Sequence, residues 1–112
     1  MIRAGLDAYK QKGSAAAFSI WLNNSPAAPA SEATTAVLTR IERAYGQMVG
    51  YDILRVVPFG PHASRTYAVI LYEKGPLYVW FDCYGATGQW IMTAFLFNTR
   101  ADSILPRSTF GP

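Results

Sequence analysis

The hydrophobic pattern of the chain changes from helical to alternating near residue 50. Before that point, apolar residues recur every three or four positions, which predicts helices over residues 1–12, 14–22 and 31 to about 48. The third of these carries the longest apolar stripe, made of Val37, Leu38, Ile41, Ala44, Tyr45 and Met48. Gly13 separates the first two helices, and the proline-containing stretch NNSPAAPAS predicts a linker before the third.

After residue 50, apolar and polar positions alternate and turn residues recur at short intervals, which predicts strands. The four predicted strands are YDILRVV, RTYAVILYE, LYVWFDCY and WIMTAFLFN. Because the connections between them are short, neighbouring strands should run antiparallel in a meander. The prediction is one α+β domain with helices in residues 1–48, a curved four-stranded sheet in 51–98 and a C-terminal tail in 99–112.

The third predicted strand has two chemically different faces, because side chains alternate along a strand. One face is apolar and consists of Leu77, Val79, Phe81 and Cys83. The other is aromatic with polar tips and consists of Tyr78, Trp80, Asp82 and Tyr84. A tight turn at Lys74 and Gly75 would place Tyr67 of the second strand opposite Asp82.

Three helices that all precede the strands can cover only one face of the sheet. The uncovered face should then meet a second copy of the chain or line a cavity, because it carries too many large apolar residues for open solvent. The pattern leaves open which face the helices cover. If the aromatic face lies inward, Asp82 sits in a pocket, and if it lies outward, Asp82 sits in an interface or in solvent.

The composition is consistent with a folded domain that has more apolar surface than a small monomer can bury. Hydrophobic residues make up 51% of the 112 positions and charged residues 15%, which excludes a disordered chain and favours self-association. The formal net charge is +3, but the basic residues are spread along the chain, which argues against a nucleic-acid surface. The single cysteine, Cys83, excludes an internal disulfide.

Targeting signals are not evident in the sequence. No segment reaches the roughly 18 uninterrupted apolar residues of a membrane span. Residues 1–20 lack the continuous apolar core of a signal peptide. We therefore expect a cytoplasmic protein, or a secreted or periplasmic one if a leader is missing.

Asp82 is the candidate for chemistry, because it is a carboxylate within an apolar strand. As a general base it would work with Tyr45, Tyr67 or Tyr84, whose hydroxyls could donate to a developing oxyanion. Isomerases that use a carboxylate base commonly need a second acid in the pocket, and none is evident in the sequence. The favoured interpretation is therefore an ion pair between Asp82 and Arg55, or hydrogen bonds from tyrosine hydroxyls. The aromatic residues assigned to a ligand pocket or dimer face are Trp80, Tyr78, Tyr45 and Trp21.

Other motifs favour structural roles. His62 has Ser64 nearby but no acid beside it, so it does not form a catalytic triad, and one histidine with one cysteine predicts no metal site and no cofactor. Cys83 is interpreted as a small buried hydrophobe. The stretch KGPLYVWF agrees with an RNA-recognition pattern at Lys74, Gly75, Tyr78, Val79 and Phe81. Pro76 replaces the first stacking aromatic of that pattern, so nucleic acid is not the expected partner.

The element order resembles a known superfamily. Helices followed by a curved antiparallel sheet, with a long third helix leading into GYDILRVV and a final AFLFNTR strand, resemble the nuclear transport factor 2-like (cystatin-like, ketosteroid isomerase-like) cone fold over residues 1 to about 100. The resemblance implies a homodimer packed through the sheet. In some members it also implies isomerase, epoxide hydrolase or dehydratase activity, with Asp82 and Tyr67 or Tyr84 as the matching site here.

The expected function is a small homodimeric binding or interaction module with a pocket for an apolar ligand. One alternative is a small cone-fold enzyme of isomerase or hydrolase type that uses Asp82 as its base. A second alternative is an RNA-binding module.

Overall fold

The computed structural model describes residues 1–110, except the side chains of Ser31 and Phe110, and residues 111–112 lie outside it. Three helices come first: α1 is Ile2–Lys12, α2 is Ser14–Trp21 and α3 is Ser31–Tyr45. Four strands follow: β1 is Met48–Pro58, β2 is Ala63–Tyr72, β3 is Gly75–Tyr84 and β4 is Ile91–Asn98. They form one antiparallel sheet in the order β1-β2-β3-β4, which is curled but not closed. The predicted α+β class and meander are confirmed.

The third helix ends three residues earlier than predicted. Gly46 follows Tyr45 with a φ of 87°, a left-handed conformation that glycine adopts without a steric penalty, and its N–H still bonds to the carbonyl of Glu42. Met48, the last residue predicted for the helix, is instead the first residue of β1.

The helices cover the apolar face of the sheet. Leu77, Val79 and Phe81 on β3 are fully buried in a core that also holds Leu6, Leu38 and Trp21 from the three helices. The aromatic face of β3 therefore points away from the helices, and we call this side of the sheet the outer face. None of the helices found in residues 1–110 has the length and apolar character needed to cross a membrane.

The register between β2 and β3 differs from the prediction by two residues. The hairpin loop consists of Glu73 and Lys74, so that Tyr72 pairs with Gly75. Asp82 consequently lies opposite Arg65, and Tyr67 lies opposite Trp80. A shift of two residues leaves every side chain on its predicted face and changes only its partner, because the side-chain period of a strand is two.

The C-terminal segment, residues 99–110, is more ordered than the predicted tail. It contains two short 3₁₀ helices, Ala101–Ser103 and Arg107–Phe110. Between them Ile104 is buried, while Leu105 and Pro106 are half-buried beside the outer face. The uncovered face predicted from the element order is therefore covered in part by the chain itself.

Candidate functional site

A groove of about 590 Å³ lies between the outer face and the C-terminal segment. Its floor consists of Tyr67, Val69, Leu71, Pro76 and Tyr78, from β2 and β3. Tyr67 and Val69 are only 9% and 7% exposed although α1, α2 and α3 lie on the opposite face of the sheet. A concave site of this size with a mainly apolar lining is typical of small-molecule binding sites.

The two walls of the groove come from β1 and from the C-terminal segment. Leu105, Pro106 and Thr109 form the wall on the side of the C-terminal segment. Leu54 and Arg55 form the wall on the side of β1, which is an edge strand of the sheet. The groove thus depends on residues that are about 50 positions apart in sequence.

A β-bulge in β1 positions the second wall. Ile53 pairs with Ala68 and Arg55 pairs with Tyr67, so Leu54 has no partner in β2. Ala68 faces the helices and Tyr67 faces the groove, and directly paired residues share a face. Without the extra residue Arg55 would share the face of Ile53, so the bulge turns Arg55 towards the groove.

Asp82 lies on the outer face in an ion pair with Arg65. Nε of Arg65 donates to Oδ1 of Asp82 at 2.7 Å, and Nη2 donates to Oδ2 at 2.9 Å. The Arg65 guanidinium also stacks on the Trp80 ring, with its central carbon 3.9 Å from the ring centroid. Both carboxylate oxygens are therefore engaged, an arrangement that favours a structural ion pair over a general base.

The predicted ion pair of Asp82 named the wrong arginine. Arg55 lies two strands away from Asp82, at the groove, whereas Arg65 lies directly across the β2–β3 ladder. A hydrogen bond from its guanidinium to Asp82 raises the pKa of Arg65 further above its ordinary value, so Arg65 stays charged. The sequence contained a usable signal, because a two-residue loop at Glu73 and Lys74 pairs Arg65 with Asp82.

The remaining predicted site residues do not form one cluster. Tyr78 and Tyr67 line the groove, whereas Tyr84 is exposed at the end of β3. Tyr45 lies on the helix side of the sheet, where its ring packs against Tyr72 at 6.3 Å between centroids. Tyr45 therefore cannot act together with Asp82, which lies on the opposite face.

Trp21, also assigned to the pocket or dimer face, is a core residue. Its indole is fully buried and lies 4.9 Å from the Phe81 ring and 5.6 Å from the Phe18 ring, between centroids. Its Nε1 donates to the carbonyl of Ile2. Trp21 belongs to the packing between α2 and the sheet, and it neither lines the groove nor reaches the outer face.

A second, polar hollow of about 460 Å³ contains a hydrogen-bonded group that the sequence did not reveal. The Tyr9 hydroxyl donates to Oε1 of Glu42 at 2.6 Å and lies 2.8 Å from the Tyr72 hydroxyl. Because the single hydroxyl hydrogen of Tyr9 goes to Glu42, Tyr72 must donate to Tyr9. Burial raises the pKa of Tyr72 to about 12 and that of Tyr9 further still. Neither hydroxyl has a proton left to donate to a substrate. The role of the group is structural, because its hydrogen bonds connect α1, α3 and β2.

The other motifs occupy structural positions. Cys83 is buried on the helix side, and burial raises the pKa of its thiol to about 11, which keeps it protonated at neutral pH. His62 is exposed in the turn between β1 and β2. Of the residues that agree with the RNA-recognition pattern, Tyr78 lines the groove on the outer face, whereas Val79 and Phe81 are fully buried on the helix side. Across residues 1–110, no three His, Cys, Asp or Glu side chains are grouped so that they could hold a metal ion.

Comparison with known proteins yields no match for this chain among protein-family models, curated proteins or solved structures. The functional argument therefore rests on the geometry of the outer face. The groove is the strongest candidate site, because its apolar lining is accessible while the Tyr9 hydroxyl of the hollow is already engaged by Glu42 and Tyr72.

Proposed function

We propose that this protein binds a small apolar molecule in the groove between the outer face and the C-terminal segment. The observation that carries the proposal is the mainly apolar lining of a 590 Å³ groove built within one chain. The order of helices before a curled meander supports a proposed likeness to the nuclear transport factor 2-like fold, but the groove lies on the sheet face away from the helices and does not depend on that likeness. A binding module needs no reacting group, in keeping with the engagement of Asp82 by Arg65.

Binding is tested with a neutral fluorescent dye, N-phenyl-1-naphthylamine, displaced by 1-alkanols of increasing length. A groove that takes up the alkyl chain should bind each longer alcohol more tightly, by up to about 0.8 kcal/mol or roughly fourfold per added CH₂. The affinity should stop rising once the chain is longer than the groove. An affinity that does not depend on chain length would contradict apolar binding.

Leu54 and Leu96 form a matched pair of variants for locating the bound alcohol. They are 45% and 46% exposed, they lie on the two edge strands, and only Leu54 lines the groove. Leu54→Gln should weaken decanol binding about fivefold, because it removes apolar contact from one wall. Leu96→Gln should leave the affinity unchanged. Equal effects of the two substitutions would place the alcohol elsewhere.

We further propose that a second copy of the chain covers the part of the outer face on β3 and β4. Tyr84 and Leu96 are 47% and 46% exposed there, and Trp80 and Ile91 beside them are half-buried. This aromatic and aliphatic patch lies outside the groove and has the composition of an interface core. Dimerisation would shield it while leaving the groove accessible.

The dimer is tested by light scattering at micromolar concentration. The expected mass is twice the 12.3 kDa of one chain. Leu96→Arg should shift the protein to the monomer, because two-fold symmetry would bury two unpaired charges at the interface. Val56→Arg is the control, because Val56 is 57% exposed on the distant edge strand β1. A monomeric wild-type protein would refute the dimer without affecting the groove.

A further inference from the structure

Among the described residues that line the groove, Arg55 is the single charged one. It is exposed, and its guanidinium forms no ion pair or side-chain hydrogen bond with any other residue in the range 1–110. The bulge at Leu54 directs it towards the groove rather than towards the helices. An otherwise apolar groove therefore has one unengaged positive charge on its wall.

No neighbouring carboxylate in the range 1–110 forms an ion pair with Arg55. Arg65, the other arginine on the outer face, is neutralised by both oxygens of Asp82. Asp52 lies opposite Val69 on the same face, but it does not line the groove and is not paired with Arg55.

We propose that the ligand is an anionic amphiphile, an apolar chain ending in a single carboxylate, and that Arg55 receives the carboxylate while the groove holds the chain. This proposal rests on the proposed function of the groove. A guanidinium matches a carboxylate with two parallel N–H···O bonds, and one guanidinium balances one negative charge. The ligand class is therefore a medium-chain monocarboxylate rather than a neutral hydrocarbon.

The test compares decanoate with 1-decanol, each displacing N-phenyl-1-naphthylamine at pH 8, with decanoate below its micelle concentration and decanol below its solubility limit. The two molecules share their alkyl chain and differ in the headgroup. Arg55→Gln should weaken decanoate about fivefold and leave decanol within about twofold of the wild-type affinity. Arg55→Lys should keep most of the preference for decanoate, because it keeps the charge. Added salt should weaken decanoate binding to the wild type and leave decanol binding unchanged.

Arg43→Gln is the matched control, because Arg43 is an exposed arginine on α3 that does not line the groove. It should change the affinity for neither molecule. If Arg55→Gln weakens decanoate and decanol equally, or changes neither, the role of Arg55 is refuted while binding in the groove stands. If the wild-type protein binds neither molecule, the proposed function fails and the inference fails with it.

Discussion

Replacing Gly5 with alanine should lower the free energy of unfolding by about 3 kcal/mol and the Tm by roughly 10–20 °C. Gly5 lies in α1, and a Cβ atom at this position would be 2.0 Å from Nε1 and 2.4 Å from Cε2 of Trp21. Trp21 cannot move aside, because it is packed between Phe18 and Phe81. The clash outweighs the roughly 1 kcal/mol that alanine gains over glycine in a helix.

Two variants distinguish the clash from a general intolerance of substitution. Gly50→Ala should stay within about 0.5 kcal/mol of the wild type, because the nearest atom to its Cβ is 4.0 Å away. Trp21→Phe in the Gly5→Ala background should recover stability, since phenylalanine lacks the five-membered ring that meets the new methyl group. Urea unfolding followed by circular dichroism measures all four proteins. A Gly5→Ala protein as stable as the wild type would show that α1 does not pack on Trp21 as described.

The free energy of unfolding should fall steeply above pH 10, by up to about 2.7 kcal/mol per pH unit, because of Tyr9 and Tyr72. In the unfolded chain both hydroxyls have a pKa near 10, whereas burial raises the pKa of Tyr72 to about 12 in the folded protein and that of Tyr9 higher. Above pH 10 the unfolded state loses protons that the folded state keeps. The stabilisation is therefore complete below pH 10 and decreases as the pH rises towards 12.

Tyrosine-to-phenylalanine variants separate the two contributions. Tyr72→Phe should reduce the slope between pH 10 and pH 11.5 by up to about 1.4 kcal/mol per pH unit, and the double variant with Tyr9→Phe should remove the part that is due to the pair. Tyr84→Phe removes an exposed hydroxyl and should keep the wild-type profile. Tyr51, whose pKa is raised by its hydrogen bond to Asp7, and Cys83, whose pKa is raised by burial, are retained throughout and contribute equally to every variant. The urea midpoint at each pH gives the slopes, and an unchanged slope in the double variant would refute the buried pair.

Tyr9→Phe should also destabilise the protein at neutral pH, by about 1–2 kcal/mol, since the carboxylate of Glu42 then loses its hydrogen-bond donor. The Tyr9 hydroxyl supplies both this stabilisation at neutral pH and its own part of the alkaline slope. Tyr9→Phe should therefore lose both.

Local patterns in the sequence were sufficient to predict the elements and the two faces of the sheet. The alternation that assigned Leu77, Val79 and Phe81 to a buried face is confirmed, because side-chain direction in a strand depends on local geometry alone. The prediction that Tyr67 lies opposite Asp82 was wrong for an equally local reason, since the pairing of the two strands depends on where the two-residue loop begins. A shift of two positions preserves the face pattern, so that pattern could not detect the error.

The groove and the buried tyrosine pair were decided by tertiary structure. Tyr9 and Tyr72 are 63 residues apart, and the C-terminal segment returns across the outer face to form one wall of the groove. The bulge at Leu54 determines on which face of the sheet Arg55 lies, and the hydrophobic pattern of the sequence did not predict this bulge. The sequence by itself determined which residues form helices and strands and which of their side chains are apolar. Only the folded chain decided which distant side chains meet, because those contacts depend on how the separate elements pack and not on the conformation of any one of them.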